Sequence, residues 1–322
     1  MEGTEQRRRV LRVLVLRSGA IGDFVVTLPV LQWLRLAGPD AVIDLACHPR
    51  VAPLASGLVT QWRDVESTVF LPLYREEPVI EKAVGDFLGN YELVLSFLGS
   101  DTAPAEHLRQ LVGERAICID PVPSDDGQHV TTHFFEQMRA AGMPAPDAEE
   151  SAYIVPVVEV DERKRQEAGE LLIGLGLKPS QAIIALHPGS GSSGKNAPAE
   201  VLAEACAWLM EAVQDGALLL IKGEADEEAT ANLLARLEPT PPIVETPDLG
   251  LLAAVLGECA LFVGHDSGIS HIAAAVGTPT VAVFVSTDPS VWGPRGPRVA
   301  LAEPTVASIC SAATSLAQPA QG

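Results

Sequence analysis

Positive charge is scarce in this chain. Lys and Arg number 22 against 42 Asp and Glu, a formal net charge of −20 at pH 7. That balance argues against a nucleic-acid partner and leaves no broad basic face for anionic lipid. The basic cluster Arg7, Arg8, Arg9 and Arg12 reads as a solvated tail. Long apolar runs are missing too. Arg12 and Arg17 break the N-terminal one, which makes a poor signal-peptide core, and no stretch nears the ~18 apolar residues of a membrane span. Cys47, Cys118, Cys206, Cys259 and Cys310 are scattered without a C-x-x-C pair. They read as buried thiols of a reducing compartment, and the cytoplasm is the expected location. No D-x-D pair is present to hold a metal-bound diphosphate, and no His/Cys/carboxylate group has metal-ligand spacing. No G-x-S-x-G suggests a serine hydrolase.

What is present is 47% hydrophobic and 20% charged residues, the composition of a soluble globular protein with room for two domains. Strands are expected at Val10–Leu16, Ala41–Ala46, Thr68–Leu73, Leu93–Phe97 and Ala116–Ile119. Helices are expected at Phe24–Leu36, Pro78–Leu88, Ala105–Leu111 and Thr132–Ala141. Met143–Pro146 and the acidic run after it resemble a linker, and Asp161 opens a charged helix to about Leu175. The alternation then repeats, with strands at Ile183–Leu186, Leu218–Ile221, Leu261–Val263 and Thr280–Val285. Between them fall helices at Pro198–Val213, Glu224–Leu237, Leu249–Leu256 and Ile269–Val276, and Thr305–Leu316 closes the chain. This order predicts two doubly wound α/β domains with parallel sheets, residues 1–155 and 156–322, facing a cleft. Ligands in such sheets sit beyond the carboxyl ends of the strands.

Three loops could carry chemistry. Ser18, Gly19 and Gly22 lead to Asp23 at a helix start. Asp23 either caps that helix or presents a carboxylate able to take a proton from a hydroxyl. His187–Asn196 (HPGSGSSGKN) literally spells G-x-G-x-x-G and most of a P-loop. Asn196 stands where a P-loop needs Ser or Thr, and Pro198 delays the helix. What remains is a hydroxyl-rich loop with Ser190, Ser192, Ser193 and Lys195, which is either a flexible surface loop or a phosphate cradle. The third is Asp266-Ser267-Gly268 with His271, in LFVGHDSGISHIAAAVGTPTVAVFVSTD. It is a strand, a small-residue turn and a helix whose N-terminal N–H groups suit a phosphate or simply close a βαβ unit. His271 reads equally as a packed side chain or a ligand. Glu224, Asp226, Glu227 and Glu228 form either a solvated helix start or a contact to ribose hydroxyls.

Gly22-Asp23 followed by Thr27-Leu28-Pro29, then HPGSGSSGKNAP, then HDSGISHIAAAVGTPTVAVFVSTDPSVWGP fall in the order and spacing of a known family. The chain resembles the ADP-heptose:lipopolysaccharide heptosyltransferases, glycosyltransferase family 9, over nearly its whole length. The resemblance implies a GT-B fold, with acceptor bound mainly by the first domain and nucleotide sugar by the second. It implies inverting transfer of a heptose or similar sugar from an ADP-sugar co-substrate to a lipopolysaccharide-core or other glycan acceptor, with no metal or other cofactor. Asp23 matches the family's proposed base, and Lys195 the residue that neutralises the diphosphate. Ser190, Ser192 and Ser193 match the hydroxyl-rich loop, and Asp266, Ser267, Gly268 and His271 the diphosphate turn. Glu227 corresponds to the ribose contact, with Glu224, Asp226 and Glu228 as neighbouring choices. Asn196 and Ala197 stand where the family usually has a basic residue and Trp. A monomer with at most peripheral membrane contact, at the inner face of the cytoplasmic membrane, is expected. The rival functions are a P-loop NTPase and a non-catalytic nucleotide- or sugar-binding protein.

Overall fold

The computed structural model describes residues 10–75, 82–124 and 127–317. The Arg7–Arg9 cluster and the first residues of the helix expected from Pro78 lie outside them. The first sheet is built from β1 (Arg12–Leu16), β2 (Val42–Cys47), β3 (Gln61–Asp64), β4 (Leu93–Ser96) and β5 (Ala116–Cys118). In chain order, the helices among and after these strands are α1 (Ile21–Val25), α2 (Leu28–Ala37), α3 (Lys82–Leu88), α4 (Ala103–Val112) and α5 (Val130–Ala140). Two more helices follow, α6 (Ala148–Tyr153) and α7 (Glu162–Gly174). The second sheet comprises β6 (Ala182–His187), β7 (Gly216–Lys222), β8 (Ile243–Glu245), β9 (Leu261–His265), β10 (Thr280–Val283) and β11 (Val299–Ala302). Its helices are α8 (Ala199–Ala212), α9 (Glu227–Leu234), α10 (Leu249–Gly257), α11 (Gly268–Ala275), α12 (Pro289–Trp292) and α13 (Val306–Ala317).

The first sheet has the order β3-β2-β1-β4-β5 and the second β11-β10-β9-β6-β7-β8. Every neighbouring pair is parallel. The central strands read as unbroken apolar runs because both sheet faces are covered. Val13 to Leu16 and Ile184 to Leu186 are all buried. In the second sheet, Ile184, Leu186, Val263, Val281 and Val283 pack with Leu202, Cys206 and Leu209 of α8 and Ile309 of α13. Truncating one such Leu to Ala costs about 2–5 kcal/mol. Helix starts are fixed by side chains. Asp161 accepts the Lys164 N–H at 2.8 Å. Asp248 accepts those of Gly250 and Leu251, at 2.9 and 3.0 Å.

By contacts the chain forms two units that interleave in sequence. The first holds residues 10–18, 30–122 and 134–147, and the second residues 19–29, 123–133 and 148–317. Thus α1 belongs with the second sheet, and it packs on α11.

Several expected elements need correction. The helix expected over Phe24–Leu36 begins earlier, at Ile21, and is two helices. Pro29 has no N–H to donate back to Val25, so the first turn closes at Val26 and Thr27 and a new helix starts at Leu28. Thr68–Leu73 is no strand. Residues Leu71–Tyr74 form a 3-10 turn with Pro72 in its first turn, which seats Phe70 and Leu73 in the core of the first unit. The edge of that sheet is taken instead by polar, exposed Gln61–Asp64. The helix expected from Glu224 starts at Glu227, with Asp226 as its N-cap. The acidic stretch after Pro146 is not all linker, since Ala148–Tyr153 is helical.

Candidate active site

Within the second unit a cavity of about 320 Å³ is lined by Asp23 and Gly22 of α1, Ser190 and Lys195 of the β6–α8 loop, and Asp266, Ser267, Gly268 and His271 at the start of α11. Thr287 and Trp292 complete the wall. A second cavity, about 310 Å³, lies on the other side of the same loop and takes Ser192, Ser193 and Asn196, with Glu228 and Asn232 from α9. The structure thus divides the predicted residues. Ser190 and Lys195 share a cavity with Asp23, whereas Ser192 and Ser193 line the other. Glu227 lines neither; it is largely exposed, and its carboxylate pairs with Lys222. Asp226 is buried and bonded to the Gly223 N–H at 2.8 Å. Ser18 belongs to the first unit, and Ser18 and Gly19 are not among the lining residues.

Local chemistry explains how Asp23 reaches this place. Gly19 sits at φ +117°, where a side chain is strained, and a Cβ there would come within 2.9 Å of the Asp23 carboxylate. The carboxylate accepts the Ala20 N–H at 3.0 Å and so fixes the start of α1. The Thr27 hydroxyl donates to the Asp23 carbonyl at 2.9 Å and tightens the end of the same helix. α1 then docks on α11 through bare backbone. A Cβ on Gly268 would lie 2.6 Å from Ile21 Cβ and 2.9 Å from Gly22 N. Gly22 itself faces the His271 ring.

The turn after β9 is buried at Asp266, half-buried at Ser267 and Gly268, and well bonded. Ser267 caps α11 by accepting the Ser270 N–H, and the Ser270 hydroxyl donates to the His265 carbonyl at 2.5 Å. Asp266 Oδ2 receives Lys195 Nζ at 2.6 Å and the Thr287 hydroxyl at 2.5 Å. His271 is buried, and that burial, helped by the Lys195 charge and opposed by Asp266 and Asp23, pushes its pKa down to about 4. The ring is therefore neutral at pH 7, and its Nδ1 has no hydrogen-bond partner among the described residues. The cavity gathers one ammonium, two carboxylates, a neutral imidazole, three hydroxyls and the free N–H groups of a helix N-terminus. That set can bind an anion and take up a proton. Among the described residues no group of three or more His, Cys, Asp and Glu is placed to hold a metal.

The spelled P-loop does not form. Lys195 ends a 3-10 turn, Asn196 is extended and α8 starts only at Ala199, so the lysine does not sit on a helix N-terminus. Residues that the sequence left unnamed are Trp292, His265, Asn232 and Thr287. Asp288-Pro289, an N-cap followed by Pro, was a legible signal for the short helix that carries Trp292.

Two parallel α/β sheets, each with its own helices, are the architecture of a GT-B glycosyltransferase fold. The model of glycosyltransferase family 9 (heptosyltransferase) matches residues 126–320, and the chain belongs to that family. Lipopolysaccharide heptosyltransferase 3 of Escherichia coli is 39% identical over 77 residues, 22% of this chain and 22% of that protein. The chain therefore aligns with only about a fifth of that relative's length. Its fold is similar to that of a family 9 glycosyltransferase from Veillonella parvula (TM-score 0.74, 19% identity, 95% of this chain and 97% of that one). It is similar also to the ADP-heptose lps heptosyltransferase II of E. coli (TM-score 0.73, 17% identity, 95% and 98%).

Proposed function

We propose that the protein transfers a heptose, or a similar sugar, from an ADP-sugar to a lipopolysaccharide-core or other cell-envelope glycan, with inversion and without a metal or other cofactor. Family membership and the names of its relatives support the substrate class. The observation that carries the mechanism is the meeting of Asp23, Lys195 and the α11 N-terminus in one cavity. In this reading residues 1–155 supply most of the acceptor site and residues 156–322 the donor site, and the enzyme works in the cytoplasm. No helix among the described residues is long and apolar enough to cross a membrane.

Asp23 accepts the proton of the acceptor hydroxyl as that oxygen bonds to the anomeric carbon. The bond from that carbon to the diphosphate oxygen breaks, and the electron pair leaves with ADP. Lys195 and the N–H groups at Ser267-Gly268 neutralise the charge that develops there. Asp266 is itself anionic, so its part is to aim Lys195 through their 2.6 Å contact while Thr287 steadies the carboxylate. The diphosphate takes over the ammonium when it binds. Ser190 contacts the phosphates, with Gly19, Gly22 and Ser18 shaping the acceptor-side loop. The ribose falls to the acidic start of α9 beside Ser192 and Ser193. There Glu228 lines the cavity, whereas Glu227 is engaged by Lys222.

Asp23→Asn keeps the cap geometry and removes the base. Transfer from ADP-heptose should fall by roughly 10²–10⁴-fold while ADP binding measured by calorimetry stays within threefold of the unaltered protein. Undiminished turnover would remove Asp23 from the role.

A further inference from the structure

The β6–α8 loop is exposed from Gly191 to Gly194 but clamped at both ends by buried groups. At its start, the Asp226 carboxylate lies against Gly189, where a Cβ would be only 1.7 Å from Oδ1. At its end, the Ala197 N–H donates to His265 Nε2 at 2.8 Å. Both partners of that bond are buried, and His265 is fully so. Its ring must be neutral with a bare Nε2 to accept this bond, and burial, reinforced by the neighbouring His187, lowers its pKa to about 4. His265 is the last residue of β9, and the next residue, Asp266, receives Lys195 Nζ. Two consecutive residues therefore hold one loop from two sides: the ring grips its backbone and the carboxylate grips its charge.

We propose that His265 is a positioning residue, which anchors the β6–α8 loop and so fixes Lys195 for the diphosphate of the donor. The inference rests on the donor reading above and goes beyond it by assigning a role to a residue that itself lines neither cavity. The imidazole acts through one acceptor atom at one distance. Gln carries its amide oxygen the same number of bonds from Cβ as Nε2, so it can replace that atom. Met fills the space without an acceptor, and Asn is a bond too short to reach.

The test uses the full chain, ADP as the probe, and two independent readouts. Amide hydrogen exchange at Ala197 reports the anchor, and calorimetric ADP affinity reports Lys195. His265→Met is expected to expose the Ala197 amide to fast exchange and to weaken ADP binding at least tenfold. His265→Gln is expected to keep the amide protected and affinity within threefold. His265→Asn stands in for Met if that variant does not fold. In a Lys195→Ala background the His265→Met change should cost less than threefold, because the lysine through which it acts is gone. Met and Gln variants that behave alike would overturn the inference, and so would a full tenfold loss that persists without Lys195. If the unaltered protein does not bind ADP, the donor reading fails and takes the role toward the diphosphate with it. Exchange at Ala197 then decides separately whether His265 anchors the loop.

Discussion

After β9 the chain uses two residues, Asp266 and Ser267, to enter α11; after β6 it uses residues 188–198 to enter α8. The first connection is buried or half-buried, capped by Ser267 and roofed by α1 through the Gly268 contact. The second exposes four consecutive residues and is held where Gly189 meets Asp226, Lys195 meets Asp266 and Ala197 meets His265. Both deliver groups to the same cavity. One is a preformed seat whose geometry the core dictates. The other is a tethered flap whose geometry a few contacts dictate. Few buried apolar contacts and exposed backbone place a segment at the low end of local stability. The flap is therefore the part that can yield when a ligand enters.

The contrast can be broken at the seat by acid. His265 and His271, on either side of the tight turn, have pKa values of about 4 in the folded chain against an ordinary 6.5. Between those values the unfolded chain binds more protons than the folded one, so stability falls as pH drops from about 6.5 to about 4. At 1.36 kcal/mol per pH unit the loss is roughly 3 kcal/mol for each ring. Denaturant unfolding across that range should show it, and a flat profile would contradict the buried, neutral rings. Next in size is Gly268→Ala. The added methyl meets Ile21 Cβ at 2.6 Å, so α1 must move, at a cost of about 2 kcal/mol in unfolding free energy and most of the activity. The flap tolerates the same change: Gly194→Ala meets nothing nearer than 4.0 Å and should leave the midpoint unmoved.

Smaller still is Lys195→Ala, which removes one charge-assisted contact and should weaken ADP binding about tenfold, near 1.4 kcal/mol, without lowering the melting temperature. Smallest is Glu227→Gln. It breaks an exposed pair with Lys222 and should change stability by under ~1 kcal/mol and the ADP-sugar KM by less than twofold. Glu228→Gln, by contrast, should raise that KM severalfold. The reverse ranking would return the ribose contact to Glu227.

The seat was more legible in the sequence than the flap. Leu261–Val263 and Thr280–Val285 are short apolar runs that read as buried strands, the second ending at Val283 with Val285 exposed, and Ser267-Gly268 between them marks a capped turn. The same logic located β1, β2, β4, β6 and β7. It failed where pattern is thin. Gln61–Asp64 carries no apolar alternation, Ile243–Glu245 is three residues long, and Val299–Ala302 follows a Pro- and Gly-rich stretch. Thr68–Leu73 looked like a strand because its apolar residues do enter the core, but as a 3-10 turn around Pro72. Within the site, Asp23, Lys195 and Asp266 stood out as charges beside small residues. His265 did not, since a histidine at a strand end announces nothing until its ring is seen to face Ala197. Thr287 and Trp292 come from beyond β10, and only the parallel register of β9 and β10 brings that end of the chain to Asp266.

The Lys195–Asp266 pair has a consequence for how fast the site fills. The seat sets two carboxylate side chains, Asp23 and Asp266, against one lysine, inside a chain of net charge −20. On the donor reading proposed above, an incoming diphosphate is repelled at long range and gains the lysine only at contact, by displacing a carboxylate that already holds it. Association should therefore quicken as added salt screens the repulsion, opposite to the behaviour of an anion steered into a basic pocket. Capture at this site is an exchange of partners rather than an attraction of opposites.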